Sequence, residues 1–215
     1  MKDSKTRTLV PGSGDKLEFE SPSWNQTYSL LLKLSETIRK SEFEPDVIVG
    51  VSRGGWIPAR ILSDLLENPN LANVATEFYV DIAKTKQKPT ITQSVSVPVK
   101  DKKVLVVDDL ADTGESLKLV NEHLRKQGAC EVRISTIYYK PWSIIIPHYY
   151  QKETRCWIVF PWDRKETVRK TIEKFMDKGR TMEDIKEKLI SSGLDKELAE
   201  QFIKEMSGKN IDGNI

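Results

Sequence analysis

Cysteine is nearly absent. The 215-residue chain carries two, Cys130 and Cys156, with neither CxxC nor His/Cys ligand spacing. That excludes a disulfide-stapled scaffold and a cysteine-based metal module, and both thiols read as small buried apolar side chains. Histidine is as scarce: His123 and His148 have no acid or cysteine at useful spacing and read as surface or packing residues. No apolar run approaches the ~20 residues of a membrane-spanning helix. The opening, MKDSKTRTLVPGSGDK, has no apolar signal region, so a cytoplasmic protein is expected. Neither charge sign is in excess: 34 basic against 32 acidic residues leave +2, without a global pull toward nucleic acid or membrane. Repeats and low-complexity tracts are missing too. What remains, 38% hydrophobic and 31% charged, is enough to bury a real core.

Residues 1–20 are polar, with Pro11, Gly12 and Gly14, and read as a loose arm. Ser23 can cap a helix in which Tyr28, Leu31, Leu32, Ser35 and Ile38 keep helical spacing to about Lys40. The run from Asp46 to Ser52 is a buried strand, Arg53-Gly54-Gly55 a tight turn, and Trp56 to Glu67 a helix with Pro58 in its first turn. Ala75 to Ile82 alternates as a strand. Residues 83–93, rich in lysine, carry no core-forming period and read as a mobile loop, with Ser94 to Val99 as a return strand. Further strands are expected at Glu131 to Tyr138 and Cys156 to Phe160, with a helix between Gly114 and Gln127 closed by Gly128. Strands alternating with helices imply an α/β fold, a mostly parallel sheet with helices on both faces. Ligands of such sheets bind beyond the carboxyl ends of the strands.

The most informative stretch is KVLVVDDLADTGESL, residues 103–117. Val104 to Val107 suit a strand buried on both faces. Asp108 and Asp109 follow at once, and two acids at a buried strand end require cations or donors. After Leu110 and Ala111, the segment Asp112-Thr113-Gly114-Glu115-Ser116 opens a helix whose N–H groups and dipole suit a phosphate. Acids for a metal or sugar hydroxyls beside a phosphate cradle point to a phosphorylated sugar.

This stretch resembles the phosphoribosyl pyrophosphate motif of type I phosphoribosyltransferases, in the order of its chemistry and in its strand-to-helix setting. The resemblance implies that Asp108 and Asp109 hold the ribose hydroxyls, in part through Mg2+, and that Ala111, Thr113, Gly114, Glu115 and Ser116 receive the ribose and its 5′-phosphate. Ser52, Arg53 and Gly54 are similar to the family's pyrophosphate loop, whose Ser52–Arg53 position is often cis. Tyr139-Lys140-Pro141 resembles the segment whose lysine donates to purine O6, which selects 6-oxopurines because a lysine cannot accept from a 6-amino group. Trp157 to Asp163 looks like the base-covering hood: Trp157 as the ring over the base, Ile158 as the backbone reader, Asp163 near a second magnesium. Asp112 is implied as the acid/base that handles the N7 proton.

The resemblance covers about residues 23–163. It implies three parts: an arm at 1–20, a phosphoribosyltransferase domain with its small hood at 21–164, and a helical extension at 165–215. In the extension, Thr181 and Asp195 can cap two amphipathic helices. These suit either a ubiquitin-associated-type module or a tail packed on its own core or on a second subunit. The implied activity is purine salvage, a 6-oxopurine and phosphoribosyl pyrophosphate giving a nucleotide and pyrophosphate, in a homodimer. A regulatory nucleic-acid binder on the same fold is the alternative, and the near-zero net charge weighs against it.

Overall fold

The computed structural model describes residues 18–79, 88–177 and 179–209. They divide into two compact units. One takes Thr27–Arg155; the other combines the residues up to Gln26 with those from Cys156 on. The expected boundary at 164/165 therefore lies inside the second unit.

The first unit is built on a six-stranded sheet. Its strands are β2 (Val47–Ser52), β3 (Leu71–Tyr79), β4 (Lys88–Gln93), β5 (Lys103–Ala111), β6 (Glu131–Tyr139) and β7 (Tyr149–Glu153). Their spatial order is β4-β3-β2-β5-β6-β7, and every pair is parallel except β3 with β4. Val104, Leu105, Val106 and Val107 of β5 are all fully buried, as expected for a central strand covered on both faces. The alternation of the strand divides them. Val104 and Val106 join Val47, Val49 and Val51 of β2 against Leu117, Val120 and Leu124 of helix α3 (Glu115–Lys126). On β2 the intervening Gly50 points the other way, toward Ala59 of helix α2 (Trp56–Leu65). Helices thus cover both faces, and the carboxyl ends of β2 and β5 emerge side by side.

Several elements differ from the expectation. The return strand is Lys88–Gln93, not 94–99, so the second half of the expected lysine-rich loop is the edge strand β4. Its polar, half-exposed pattern and Pro89 hid it, and edge strands tolerate both. Residues 80–87, with Lys84 and Lys86, lie outside the described residues. β3 starts at Leu71, and β7 had no signal because Tyr-Tyr-Gln-Lys-Glu is half polar at a sheet edge. Helix α1 (Trp24–Lys40) buries Thr27, Leu31, Leu34, Ser35 and Ile38 and leaves Tyr28 and Leu32 exposed, so its inward stripe is rotated from the expected one. Its capping by Ser23 is present: the hydroxyl accepts from the Gln26 N–H at 3.2 Å. Cys130 is exposed and Cys156 half-buried, which corrects the reading of both as core residues.

In the second unit, β1 (Phe19–Glu20) lies parallel to β8 (Trp157–Ile158), so the end of the expected loose arm is a strand. Helices α4 (Arg164–Met176), α5 (Met182–Ser191) and α6 (Lys196–Lys209) enclose a small core of Val168, Ile185, Leu189, Leu194 and Ala199, with Phe19 against it. The Thr181 cap is a complete capping box with Asp184, and the Asp195 carboxylate accepts from the Leu198 N–H at 3.0 Å.

Candidate active site

In the first unit two loops leave the sheet at neighbouring carboxyl ends, one after β2 and one after β5. The loop after β2 has a cis peptide between Ser52 and Arg53. The Ser52 hydroxyl is buried without a hydrogen-bond partner among the described residues, an acceptor and donor left for something else. Gly54 touches the end of β5. A Cβ at this position would lie 2.6 Å from both Cγ and Oδ1 of Asp109, and Oδ2 would be nearer still. Only a residue without a side chain lets the backbone lie against that carboxylate.

Asp108 and Asp109 end the buried part of β5. The Asp109 N–H donates to Asp108 Oδ1 at 3.0 Å. Burial pushes the Asp108 carboxyl well above the usual carboxylate range, and the neighbouring Asp109 charge adds to it. Two acids so placed favour a cation between protein and ligand. Among the described residues no cluster of three or more His, Cys, Asp or Glu side chains could hold a metal by itself. The two carboxylates are hard oxygen donors of the type Mg2+ takes alongside phosphate oxygens.

The second loop turns into α3 at Gly114, which has φ +79° and is the helix N-cap. A Cβ there would meet Ser143 Oγ at 2.5 Å and the Ile145 nitrogen at 2.8 Å. Thr113 Oγ1 accepts from the Glu115 N–H at 3.3 Å and steadies the turn, while Glu115 and Ser116 open the helix at its positive end. Helix N-termini of this kind suit an anion such as a phosphate. Ala111 is buried, and its carbonyl accepts from the Lys140 N–H at 2.9 Å. Lys140 is only 4% exposed, so its ammonium is held in the fold and not in solvent. Asp112 is exposed, with Oδ1 accepting from the Trp142 indole N–H at 3.1 Å.

Trp157, Ile158 and Asp163 belong to the second unit. β1 engages the N–H groups of Trp157 and Val159, through the Glu18 and Glu20 carbonyls at 2.7 and 2.9 Å. By strand alternation the N–H and C=O of Ile158 face the other edge of β8. The Lys174 ammonium lies 5.3 Å from the centroid of the Trp157 ring. Asp163 precedes α4 without capping it through its side chain, and Trp162 stacks on Phe160 with centroids 4.7 Å apart. Sequence reasoning missed Trp142 and Lys174. Trp142 had a signal, lying two residues after Lys140; Lys174 had none, because only the fold brings α4 to β8.

Residues 23–167 match the phosphoribosyl transferase domain family. The chain is similar to the purine phosphoribosyltransferase of Pyrococcus horikoshii: 41% identity, TM-score 0.61, covering 67% of this chain and 93% of that one. It is also similar to the xanthine-guanine phosphoribosyltransferase of Idiomarina loihiensis, 30% identical over 143 residues, 66% of this chain and 84% of that one. The Gluconobacter oxydans protein of the same name is 26% identical over 149 residues, 68% of this chain and 86% of that one. The two converging loops and these likenesses lead to one conclusion: the chain belongs to the phosphoribosyltransferase family.

Proposed function

We propose that the protein is a purine-salvage phosphoribosyltransferase, joining a 6-oxopurine to the ribose of phosphoribosyl pyrophosphate with release of pyrophosphate. The observation that carries this reading is the seating of Gly54 against the Asp109 carboxylate, which draws a pyrophosphate-type loop and a ribose-phosphate loop onto one site. The named relatives act on purines, which supports hypoxanthine, guanine or xanthine as the base. The nucleic-acid-binding alternative has no support from them.

The site residues take the following roles. Ser52, Arg53 and Gly54 bind pyrophosphate, with the Arg53 guanidinium forking two of its oxygens. Asp108 and Asp109 orient the ribose hydroxyls. Ala111 lines the ribose, and Thr113 to Ser116 hold the 5′-phosphate at the α3 N-terminus. Lys140 donates to O6, Trp157 stacks on the base, and the Ile158 backbone reads its edge. Asp112 takes or shares the N7 proton as the bond to the anomeric carbon forms. Mg2+, held by Asp108 and Asp109 and by Asp163 at a second position, would offset charge on the departing pyrophosphate. The protein acts in the cytoplasm as a homodimer; no helix among the described residues is long and apolar enough to cross a membrane.

The test is turnover with phosphoribosyl pyrophosphate and Mg2+ against hypoxanthine, guanine, xanthine and adenine. Nucleotide is expected from one or more of the oxopurines. Activity on adenine alone would overturn the role of Lys140, and specific nucleic-acid binding without turnover would overturn the enzyme reading.

A further inference from the structure

Two groups given separate tasks above, Lys140 and Asp112, meet on one side chain. Trp142 is half-buried in the turn that follows β6. Its indole N–H donates to Asp112 Oδ1 at 3.1 Å, and its ring centroid lies 5.5 Å from the Lys140 ammonium. We propose that Trp142 is a positioning residue that sets the base-recognising ammonium and the proton-handling carboxylate at a fixed separation. The proposal rests on the roles given to Lys140 and Asp112 in the preceding section.

The turn is built to hold the indole still. The Lys140 N–H donates to the Ala111 carbonyl, and the Ser143 N–H to the Lys140 carbonyl, both at 2.9 Å. Beyond the tryptophan, the Ile144 N–H donates to the Thr113 carbonyl at 2.9 Å. Gly114, lacking a side chain, makes room for Ser143 and Ile145. The backbone is therefore fastened to the Asp112 segment on both sides of Trp142. Without the indole, the exposed Asp112 carboxylate would turn freely in water. Because the indole N–H is only a donor, it engages one carboxylate oxygen and leaves the other to face a ligand. The ring face supplies favourable electrostatics to an ammonium that is almost wholly removed from solvent. The O6 donor and the N7 proton acceptor must meet one rigid purine together, and errors of about 1 Å in such placement cost as much as ~100-fold in rate.

Two substitutions separate the halves of the device. Trp142→Phe keeps a ring for Lys140 and removes the donor. It should lower kcat by about threefold to tenfold while the KM for the base stays within about twofold. In an Asp112→Asn background the same change should have almost no effect on kcat, because the carboxylate it serves is gone. Trp142→Leu removes the ring as well and should raise the base KM about fivefold beyond the Phe variant. Melting temperatures of all variants show whether each is folded, and the Phe variant decides the matter if the Leu variant is not. Unchanged kcat in Trp142→Phe, or a loss that adds in full to that of Asp112→Asn, would overturn the inference while the proposed activity stands. Full turnover by Asp112→Asn alone would remove the role of Asp112, and with it this inference.

Discussion

Gly54 and Gly55 are adjacent, yet adding one methyl group to each should have opposite consequences. At Gly54 the new Cβ meets a side chain, the Asp109 carboxylate, with Cγ at 2.6 Å. A short side chain near the exposed end of β5 can rotate away, so the steric cost is about 1 kcal/mol or less, offset by the ~0.4–1 kcal/mol that Gly→Ala gains through the unfolded chain. At Gly55 the Cβ meets backbone: the Val51 nitrogen and oxygen both lie at 2.7 Å, and the Val107 carbonyl oxygen is nearer. β2 and β5 cannot yield without disturbing the sheet, so the cost should reach about 3 kcal/mol or more. At roughly 2–4 °C per kcal/mol for a chain of this size, Gly55→Ala should melt about 6–12 °C lower and Gly54→Ala within about 4 °C of the parent. Activity should show the reverse specificity. Gly54→Ala should remain folded but displace Asp109 from its proposed place on the ribose, reducing turnover at least about tenfold and weakening phosphoribosyl pyrophosphate binding. The assay pairs thermal unfolding by circular dichroism with turnover and ligand titration on the same preparations. A Gly54→Ala protein with parental turnover would refute the reasoning, as would one that melts as low as Gly55→Ala.

Other outcomes follow from the same site and from outside it. Asp112→Asn should cut turnover at least about tenfold and leave phosphoribosyl pyrophosphate binding largely intact, checked by steady-state kinetics and calorimetric titration; unchanged turnover removes it from the mechanism. His148 Nδ1 accepts from the Ile134 N–H at 3.0 Å, and burial, then the Arg133 and Arg125 charges, hold its pKa below 6.5. The unfolded chain therefore binds that proton at higher pH than the native one. Stability should fall as pH drops below 6.5 and level off beneath the lowered value, more steeply than in His148→Gln, measured as urea midpoints across pH. Thr181→Ala removes one arm of the capping box and should cost about 1 kcal/mol, seen as faster amide exchange in α5 with turnover little changed.

The part of the site proposed to hold the ribose phosphate was legible in residues 103–117, because each chemical requirement there falls on consecutive residues. A buried strand, two acids, a glycine with positive φ and a helix start need no distant partner to be recognised. The part proposed to recognise the base could be read only by resemblance, since a lysine after a strand or a tryptophan in a hydrophobic run has many ordinary uses. Edge elements were the least legible. β4 and β7 carry polar, half-exposed side chains, and the short β1 gains its structure from β8, more than a hundred residues away. The face of α1 was misread for a related reason: Leu34 and Leu32 are equally apolar, and only the packing decides which is buried.

The sequence by itself therefore determined the alternation of strands and helices, the buried β5, and the two acids and helix-opening glycine that follow its apolar run. These are local matters of periodicity, charge and backbone conformation. Tertiary structure alone decided that Gly54 rests on Asp109, and that Trp142 stands between Lys140 and Asp112. It also decided that Lys174 covers one face of Trp157. Such contacts depend on strand order and on the paths of loops between strands, quantities that no short stretch of chain contains.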